Sequence, residues 1–212
     1  MMLVEVVRGR DNDPLVVSAA AAFVRQIDKL PLPVRSAPGF LVNRILAPYM
    51  LAAFRAVDEG IAPETVDEAA LAYGMPMGPI ELADTVGLDI AVAVGALLGG
   101  GEPPPRRLVD LVEGGHVGKK SGRGFYTWSN GKAVKQPAAE VPAGLAERLV
   151  QPLVAEARAA LDQGIVDDAD LVDAGAIFGT GFAPFRGGPL HDARYPPATA
   201  VGRKASEALP VV

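Results

Sequence analysis

The sequence predicts a mainly α-helical fold, in which one helical unit occurs twice after a short buried strand and a helix. Residues 43–79 and 147–184 resemble each other and carry prolines, Pro48 and Pro152, at the same helical phase. The chain begins with the apolar run "MLVEVV", which is typical of a strand. Its 24 glycines and 19 prolines fall between the periodic segments, which favours short helices with many breaks.

The composition excludes several classes of function. The chain has 212 residues, a net charge of −5 and a mean hydropathy of +0.24, which is typical of a globular protein with room for a core. Its scattered basic residues form no basic face, so no nucleic-acid partner is expected. Cysteine is absent, so there is no disulfide or thiolate site. We expect a cytoplasmic protein, because no apolar run reaches the roughly 18 residues of a membrane span and no signal peptide is recognisable.

The first 36 residues predict a strand and a helix. Residues 2–7 do not alternate cleanly between apolar and polar, which indicates a strand buried on both faces of a parallel sheet. Such a strand cannot stand alone. Asp13 is suited to cap a helix that starts with Pro14 and runs to about Asp28. Residues 31–36 read as a short extended piece.

The next segment predicts a series of helices. The apolar residues from Val42 to Val57 keep helical spacing, with a kink at Pro48 and a stop at Gly60. A second helix spans Pro63 to Tyr73. Shorter helices are predicted at 79–86, 89–98 and 105–113, followed by an extended aromatic patch at 125–128 and a turn at 129–132.

The repeat predicts a tandem duplication whose two copies pack face to face. The matched pairs are Arg44 with Arg148, Pro48 with Pro152, Gly60 and Ile61 with Gly164 and Ile165, and, after one inserted residue, Gly74 with Gly179 and Pro79 with Pro184. The second copy has no counterpart of "PGFLVN". We therefore expect it to pack and support, and not to hold a second active site.

Two side chains could carry chemistry. Glu5 is a carboxylate in a strand that reads as buried, so it must be paired or used; the alternative is an edge strand with Glu5 in water. Asn43 lies in the first turn of the long helix, off its apolar stripe, where a cap or surface asparagine is the ordinary interpretation. His116 and His191 lie far apart and predict no metal site.

The glycine-rich segment 115–124 fits neither nucleotide-binding pattern. Glu113 stands where a phosphate loop needs its first glycine, and no Ser or Thr directly follows Lys119. The G-x-G-x-x-G fingerprint of dinucleotide sites is absent from the chain. Tight turns are the favoured interpretation, and the alternative is that Lys119, Lys120 and Arg123 lie near an anionic ligand.

Several stretches together resemble one enzyme family. "MMLVEVVRG", "APGFLVNRILAPYMLAAFRAVDEG", "PETVDEAALAYGMPMGPIELADTVGLD" and "HVGKKSGRGFYTW" are similar, in order and spacing, to the 3-hydroxyacyl-CoA dehydrogenases of fatty-acid β-oxidation. This resemblance covers roughly residues 1–130. The second copy, with "IFGTGFAPFRGGPL", resembles the extra C-terminal copy in the α-subunit of the fatty-acid oxidation complex.

The resemblance implies three regions and a set of site residues. Residues 1–36 would be a remnant of a Rossmann domain, its last strand and helix, followed by helical domains at 37–130 and 131–212. The family's catalytic pair is a histidine in an "HFFNP"-like motif and a glutamate that Glu5 matches; the histidine's place falls before the first residue. Asn43 matches a substrate-positioning asparagine. The remaining substrate-binding candidates, beside the acyl chain, are Met77, Gly78 and Pro79.

The implied activity is NAD-dependent oxidation of (3S)-hydroxyacyl-CoA to 3-ketoacyl-CoA. Without the histidine and the glycine-rich fingerprint, this chain alone is expected to bind no NAD and to be inactive. The expected partners are an acyl-CoA substrate, a second copy in a homodimer driven by apolar faces on helices 14–28 and 41–59, and in the parent complex a thiolase subunit. Residues beyond about 194 depart from the family pattern and are expected to be disordered or locally idiosyncratic.

Two alternatives remain open. The chain could be a non-catalytic helical module for dimerisation or partner binding. It could also belong to a 3-hydroxybutyryl-CoA dehydrogenase with short-chain substrates, although the second copy argues against this because those enzymes are usually single-copy.

Overall fold

The computed structural model describes residues 2–194, which begin with a strand–helix–strand unit. Strand β1 (Leu3–Arg8), helix α1 (Pro14–Gln26) and strand β2 (Leu30–Arg35) follow in order, and the two strands are parallel. The Asp13 side chain accepts a hydrogen bond from the Leu15 amide at 2.8 Å, as predicted for the cap of α1. The prediction that β1 is the last strand of its sheet is wrong, because the extended piece after α1 is a further strand.

The outer edge of β2 is closed to any further strand. Pro31 and Pro33 have no amide hydrogen, and the amide of Arg35, which points the same way, donates to the Ile165 carbonyl at 2.8 Å. The amides that face β1 are intact, and that of Leu30 donates to the Met2 carbonyl at 2.9 Å. Within residues 2–194, no strand pairs with the other edge of β1. The sheet can therefore be extended only beside β1.

The first helical unit follows the predicted elements within about two residues. Gly74, with a φ of 114°, ends the second of its helices in the left-handed conformation. Asn130 and Gly131, both with positive φ, form the predicted turn of a hairpin. The helices are α2 (Val42–Asp58, with Pro48 inside), α3 (Pro63–Tyr73), α4 (Pro79–Val86), α5 (Leu88–Leu98) and α6 (Arg106–Glu113), and the hairpin strands are β3 (Thr127–Ser129) and β4 (Lys132–Val134).

The second unit packs face to face against the first, as predicted. It consists of α7 (Leu145–Asp162), α8 (Ala169–Thr180) and α9 (Pro189–Arg194), and α7 lies along α2 with their apolar faces in one core. Arg44 of α2 donates to the Gln163 side chain at 3.0 Å. Its repeat counterpart Arg148 donates to Glu59, the counterpart of Gln163. Because these contacts exchange equivalent positions, the two units are related by an approximate two-fold axis.

Each unit contains the same buried aspartate between two helices. Asp67 of α3 accepts hydrogen bonds from the amides of Ile80 and Glu81 at 2.8 and 3.2 Å. Asp173 of α8 accepts hydrogen bonds from the amides of Leu190 and His191 at 2.7 and 3.1 Å. In both units a carboxylate from one helix thus satisfies the free amides at the start of a later helix.

The two buried aspartates show that part of the predicted residue match between the copies is wrong. Gly78 packs directly on Asp67, and Gly188 packs in the same way on Asp173. The counterpart of Pro79 is therefore Pro189 and not Pro184. The counterpart of the helix-ending Gly74 is likewise Gly181, whose φ is 77°, and not Gly179. The sequence match failed because the second copy has a longer segment between its two helices.

The predicted exposed apolar faces are found on only one helix. On α1 and its C-cap, Leu15, Val16, Phe23 and Ile27 are between 47% and 77% exposed. The prediction for α2 is wrong, because α7 of the second unit covers its apolar face. None of the helices in the described part of the chain is long and apolar enough to cross a membrane. The prediction of a disordered tail beyond about residue 194 lies outside the described residues.

Candidate functional site

Glu5 lies at the N-terminus of the long helix α2. Its Oε1 atom accepts hydrogen bonds from the amides of Leu41 and Val42, at 2.8 and 3.2 Å. The preceding turn has positive φ at Gly39 and at Phe40, 74° and 50°, and Phe40 is a non-glycine residue in a conformation that few such residues adopt. Strand β1 is an edge strand within residues 2–194, but the Glu5 side chain is half-buried and accepts two amides, so the alternative that places Glu5 in open water is wrong. Glu5 satisfies amides that a helix start leaves free.

The protonation of Glu5 depends on its burial and on its hydrogen-bond partners. Burial raises the pKa of Glu5 above its ordinary value, and the two amide hydrogen bonds oppose this shift. No donor in the described part of the chain reaches Oε2, so this oxygen can accept a hydrogen bond from a group outside it. A donor placed there would favour the ionised form of Glu5.

Asn43 lies one residue after the amides that bind Glu5. Its side chain is exposed and makes no hydrogen bond to the described residues. It also lines one end of an apolar cavity. The structure therefore places Glu5 and Asn43 at the same end of α2, where the cavity begins.

The cavity runs along α2 inside the first helical unit. Its volume is about 460 Å³, within the range of small-molecule sites. Side chains of α2, α4 and α5 form its walls, among them Leu46, Met50, Phe54, Val86 and Ile90. The segment 99–105 covers part of it and is tied to α2 by an ion pair between Glu102 and Arg55. The lining is mainly apolar, with Asn43, Arg55 and Glu102 as its polar members, which suits a mainly aliphatic ligand.

The three candidates at 77–79 do not line this cavity. Gly78 and Pro79 are buried at the start of α4, where a Cβ on Gly78 would lie 2.1 Å from the Asp67 Cγ atom. Met77 is 36% exposed. The structure thus separates this segment from the cavity that Asn43 lines, and two of its three residues are held in packing.

The sequence reasoning missed a buried polar cluster around Asp67. Besides two backbone amides, this carboxylate accepts hydrogen bonds from Tyr126 Oη at 2.8 Å and Lys135 Nζ at 2.9 Å. Lys135 also pairs with Glu81 at 2.7 Å. Burial raises the pKa of Asp67, and Lys135 opposes this shift. The signal in the sequence was an aspartate within the apolar stripe of α3, next to Val66.

The glycine-rich segment is used for close packing. Cβ atoms on Gly118 and Gly124 would lie 2.3 and 2.1 Å from Asp84 oxygens. Asp84 is buried and accepts hydrogen bonds from the Phe125 and Tyr126 amides at 3.0 Å. This geometry supports the interpretation of the glycines as tight-turn residues.

Two of the three basic residues of the same segment, Lys119 and Lys120, have protein partners. Lys120 pairs with Asp89 at 2.7 Å, and Lys119 lies over the Trp128 ring, 5.3 Å from its centroid. These contacts favour a structural role over an anion site. Among residues 2–194, no group of three or more His, Asp or Glu side chains is arranged to hold a metal ion.

The comparisons with known proteins identify the first helical unit. Residues 39–128 match the family model of the 3-hydroxyacyl-CoA dehydrogenase C-terminal domain. The match bears out the predicted resemblance to the 3-hydroxyacyl-CoA dehydrogenases for this segment of the chain.

Relatives extend the similarity over both units. The chain is 37% identical over 208 residues to the fatty acid oxidation complex subunit alpha of Shewanella oneidensis, which covers 90% of this chain and 30% of that protein. The chain thus spans 30% of the length of the curated relatives it matches first. A crystal structure of (S)-3-hydroxybutyryl-CoA dehydrogenase from Ralstonia eutropha matches 61% of this chain and 48% of its own, with 39% identity and a TM-score of 0.58.

One comparison corrects an expectation. The crystal structure of a 3-hydroxybutyryl-CoA dehydrogenase from Escherichia coli matches 92% of this chain and 61% of its own, with 27% identity and a TM-score of 0.74. The match necessarily includes much of the second unit. The second copy therefore does not argue against a 3-hydroxybutyryl-CoA dehydrogenase, as the sequence reasoning supposed.

Proposed function

We propose that this chain is the substrate-side part of an NAD-dependent 3-hydroxyacyl-CoA dehydrogenase, which oxidises (3S)-hydroxyacyl-CoA to 3-ketoacyl-CoA when a nucleotide-binding domain is present. The observation that carries this proposal is Glu5, half-buried at the start of α2 with Oε2 available and Asn43 beside it. The family match at residues 39–128 supports it. The cytoplasmic location expected from the sequence is part of the same proposal.

Glu5 acts on a histidine supplied from outside residues 2–194. The two amides hold Oε1 and so fix the carboxylate, while Oε2 accepts the imidazole N–H. This contact selects the tautomer in which the other ring nitrogen is free to take the proton of the substrate 3-hydroxyl. The carboxylate then stabilises the imidazolium that forms. Glu5 is thus the half of the catalytic pair that this chain contributes.

The described residues do not fit the cofactor. A nucleotide pyrophosphate is usually bound by free amides at a helix N-terminus after the first strand. Here the Asp13 carboxylate occupies that position at α1 and would repel an anion. NAD is therefore assigned to another part of the complete protein, and this chain alone is expected to bind none.

The sheet supports an attachment point for that other part. The outer edge of β2 is closed by Pro31 and Pro33, whereas β1 has an unpaired edge in the described part of the chain. We propose that the remaining strands of a nucleotide-binding sheet pair with the unpaired edge of β1. Residues 1–36 would then be the part of that sheet and its helices that this chain contains. The exposed apolar side chains of α1 would also be covered there or by a second copy.

We assign the substrate contacts to the candidate residues whose side chains are exposed. Asn43, with its amide unused by the protein, would position the substrate near the reacting carbon. Met77 would contact the acyl group with its exposed side chain, while Gly78 and Pro79 hold it in place through their packing on Asp67.

The proposal is tested by reconstitution. The chain alone, mixed with acetoacetyl-CoA and NADH, should show no loss of absorbance beyond background. Adding a separately produced nucleotide-binding domain of a relative should restore turnover. Glu5→Gln should then lower kcat by roughly 10²- to 10⁴-fold, while Glu68→Gln, at an exposed position of α3, should not. Turnover by the chain alone, or equal effects of the two variants, would contradict the proposal.

A partner-binding role is the second candidate, and the exposed apolar face of α1 favours it. We expect a homodimer, and in the parent complex a thiolase subunit. Light scattering at micromolar concentration should give at least twice the monomer mass, and a monomer would count against dimerisation. A chain that captures a partner yet never supports turnover after reconstitution would favour the non-catalytic module.

A further inference from the structure

We propose that helix α8 of the second unit positions the Glu5 carboxylate against the amides that hold it, and that Gly175 and Gly179 are the residues through which it acts. This inference rests on the proposed function, because the role of α8 in turnover depends on Glu5 being half of the catalytic pair. It goes further in giving the second unit a part in catalysis, as a positioning element that contributes no catalytic residue of its own.

The glycine face of α8 packs on the residues that donate to Glu5. Gly175 and Gly179 are four residues apart and therefore lie on the same face of the helix. A Cβ atom on Gly179 would lie 2.5 Å from Val42 Cγ2. One on Gly175 would lie 2.6 Å from Leu41 Cδ2. The amides of Leu41 and Val42 are the two that donate to Glu5 Oε1, so α8 touches both donor residues.

The same face of α8 also packs on the strands that carry Glu5. A Cβ atom on Gly179 would lie 3.1 Å from Leu3 Cδ2, and one on Gly175 would lie 2.9 Å from Leu32 Cδ2. Leu3 precedes Glu5 by two residues, so the two side chains point to the same face of β1. Leu32 lies opposite Glu5 in the register of β1 and β2. Helix α8 therefore contacts both the strand that carries the acceptor and the turn that carries the donors.

The loop before α8 joins the same two parts of the molecule by hydrogen bonds. The Ile165 carbonyl accepts the amide of Arg35, at the end of β2, at 2.8 Å. The Gln163 carbonyl accepts the guanidinium of Arg35. The Gln163 side chain accepts a hydrogen bond from Arg44 of α2 at 3.0 Å. Gln163 of the second unit thus bridges β2 and α2 directly.

The first unit shows that these glycines are not a general feature of the repeat. Gly175 and Gly179 follow the buried aspartate of α8 by two and six residues, and the corresponding residues of α3 are Ala69 and Tyr73. Helix α8 packs on β1, whereas α3 packs on α4 and α7. Glycine inside a helix is about 1 kcal/mol less favourable than alanine. Its presence at both positions of α8 is explained by the close approach to the strand and turn around Glu5.

A methyl group at Gly179 would disturb the Glu5 hydrogen bonds. Carbon atoms in contact lie about 3.5–4.0 Å apart, so the contact with Val42 Cγ2 would require a displacement of about 1 Å. Because valine is stiff about χ1, its backbone moves with the side chain and carries the amide away from Oε1. A misplacement of about 1 Å can lower the rate of an enzyme about 10²-fold.

Three alanine variants form a matched test. Gly179→Ala and Gly175→Ala change the proposed contacts, and the higher helix propensity of alanine, by about 1 kcal/mol, favours their folding. Gly175→Ala is the milder variant, because its Cβ meets the ends of two flexible leucine side chains. Gly124→Ala is the control. It overpacks the first unit against Asp84, with its Cβ 2.1 Å from Oδ1, and so reports the effect of a general loss of stability.

The first readout is the titration of the Glu5 carboxyl group in the 212-residue chain, followed by carbon-13 NMR with labelled glutamate. Glu5→Gln assigns the signal. The two amide hydrogen bonds lower the pKa of Glu5, so an amide that moves away should raise it. We expect Glu5 to titrate at a higher pH in the two α8 variants than in Gly124→Ala or the unmodified chain. An unchanged titration in the α8 variants would overturn the proposal.

Val42→Ala provides a rescue of the stronger variant. It removes the methyl groups that a Cβ atom on Gly179 would meet and leaves the backbone amide in place. In the Val42→Ala background, Gly179→Ala should no longer change the titration of Glu5. An equal change in both backgrounds would contradict the positioning of Glu5 through Val42.

The second readout separates this inference from the proposed function. In the reconstituted enzyme, kcat should fall about tenfold or more in Gly179→Ala relative to Gly124→Ala, with an unchanged KM for acetoacetyl-CoA. Turnover with equal kcat in these two variants would overturn the positioning role and leave the function standing. A raised titration of Glu5 in the α8 variants, without turnover by the unmodified reconstituted enzyme, would retain the positioning of Glu5 and refute the function.

Discussion

Replacing Asp67 by alanine tests whether one buried carboxylate holds the first helical unit together. The carboxylate accepts four hydrogen bonds, from the amides of Ile80 and Glu81, from Tyr126 Oη and from Lys135 Nζ. Its removal leaves the lysine without one of its two carboxylate partners and three other donors without an acceptor. Breaking a buried charge pair costs about 3–5 kcal/mol. We therefore expect Asp67→Ala to lower the free energy of unfolding by about 4 kcal/mol.

The measurement is urea unfolding followed by circular dichroism and by fluorescence of Trp128, the single tryptophan of the chain. For a chain of this size, the expected loss corresponds to a fall in Tm of about 10 °C. Glu68→Ala is the control on the same helix, because Glu68 is exposed, and it should change stability by less than about 0.5 kcal/mol. If the two variants unfold at the same urea concentration, the assigned role of Asp67 is wrong.

Three further predictions concern stability. Burial raises the pKa of Glu5 above its ordinary value of 4.5, so its contribution to folding is full at pH values below 4.5 and is lost as the pH rises through the raised pKa. Glu5→Gln should therefore gain stability relative to the unmodified chain as the pH rises above 4.5, and a difference in urea unfolding that stays constant with pH would contradict this. Gly78→Ala should lower the free energy of unfolding by about 2–3 kcal/mol, because the added methyl group overpacks against Asp67. The control Gly144→Ala, at a position with positive φ but open space, should lower it by about 1 kcal/mol. Equal melting temperatures of the two variants would refute the packing argument. Arg44→Ala should lower the free energy of unfolding by about 1–2 kcal/mol. Its repeat counterpart Arg148→Ala should lower it by less than about 1 kcal/mol, because the Arg148–Glu59 pair is exposed. A larger loss for Arg148→Ala than for Arg44→Ala in urea unfolding would contradict this prediction.

Local signals in the sequence predicted the elements well. Asp13 followed by Pro14 marked the start of α1, and Gly74 marked the end of α3. Asn130 and Gly131 marked the hairpin turn. In each case one or two neighbouring residues determine the backbone conformation, so the sequence contains the whole signal.

Contacts between distant residues could not be predicted in this way. Glu5 stood out as a charge in an apolar strand, but its partners are amides 36 and 37 residues away. The sequence match paired Pro79 with Pro184, because it relied only on residue types that recur in both copies. In the structure, the counterpart of Pro79 is Pro189, which lies beside the buried carboxylate of Asp173. The cavity along α2 has no sequence signal at all, since it is the space that several separately placed helices leave between them.

The prolines of β2 have a consequence for how this chain self-associates. An open sheet with two free edges can add copies without limit, whereas a sheet with one blocked edge can add only one. Because Pro31 and Pro33 remove the donors on one side, pairing of two copies through β1 would use up the one edge of this sheet that is unpaired within residues 2–194. Strand-to-strand growth of this unit would end at a pair and would not continue into a fibre.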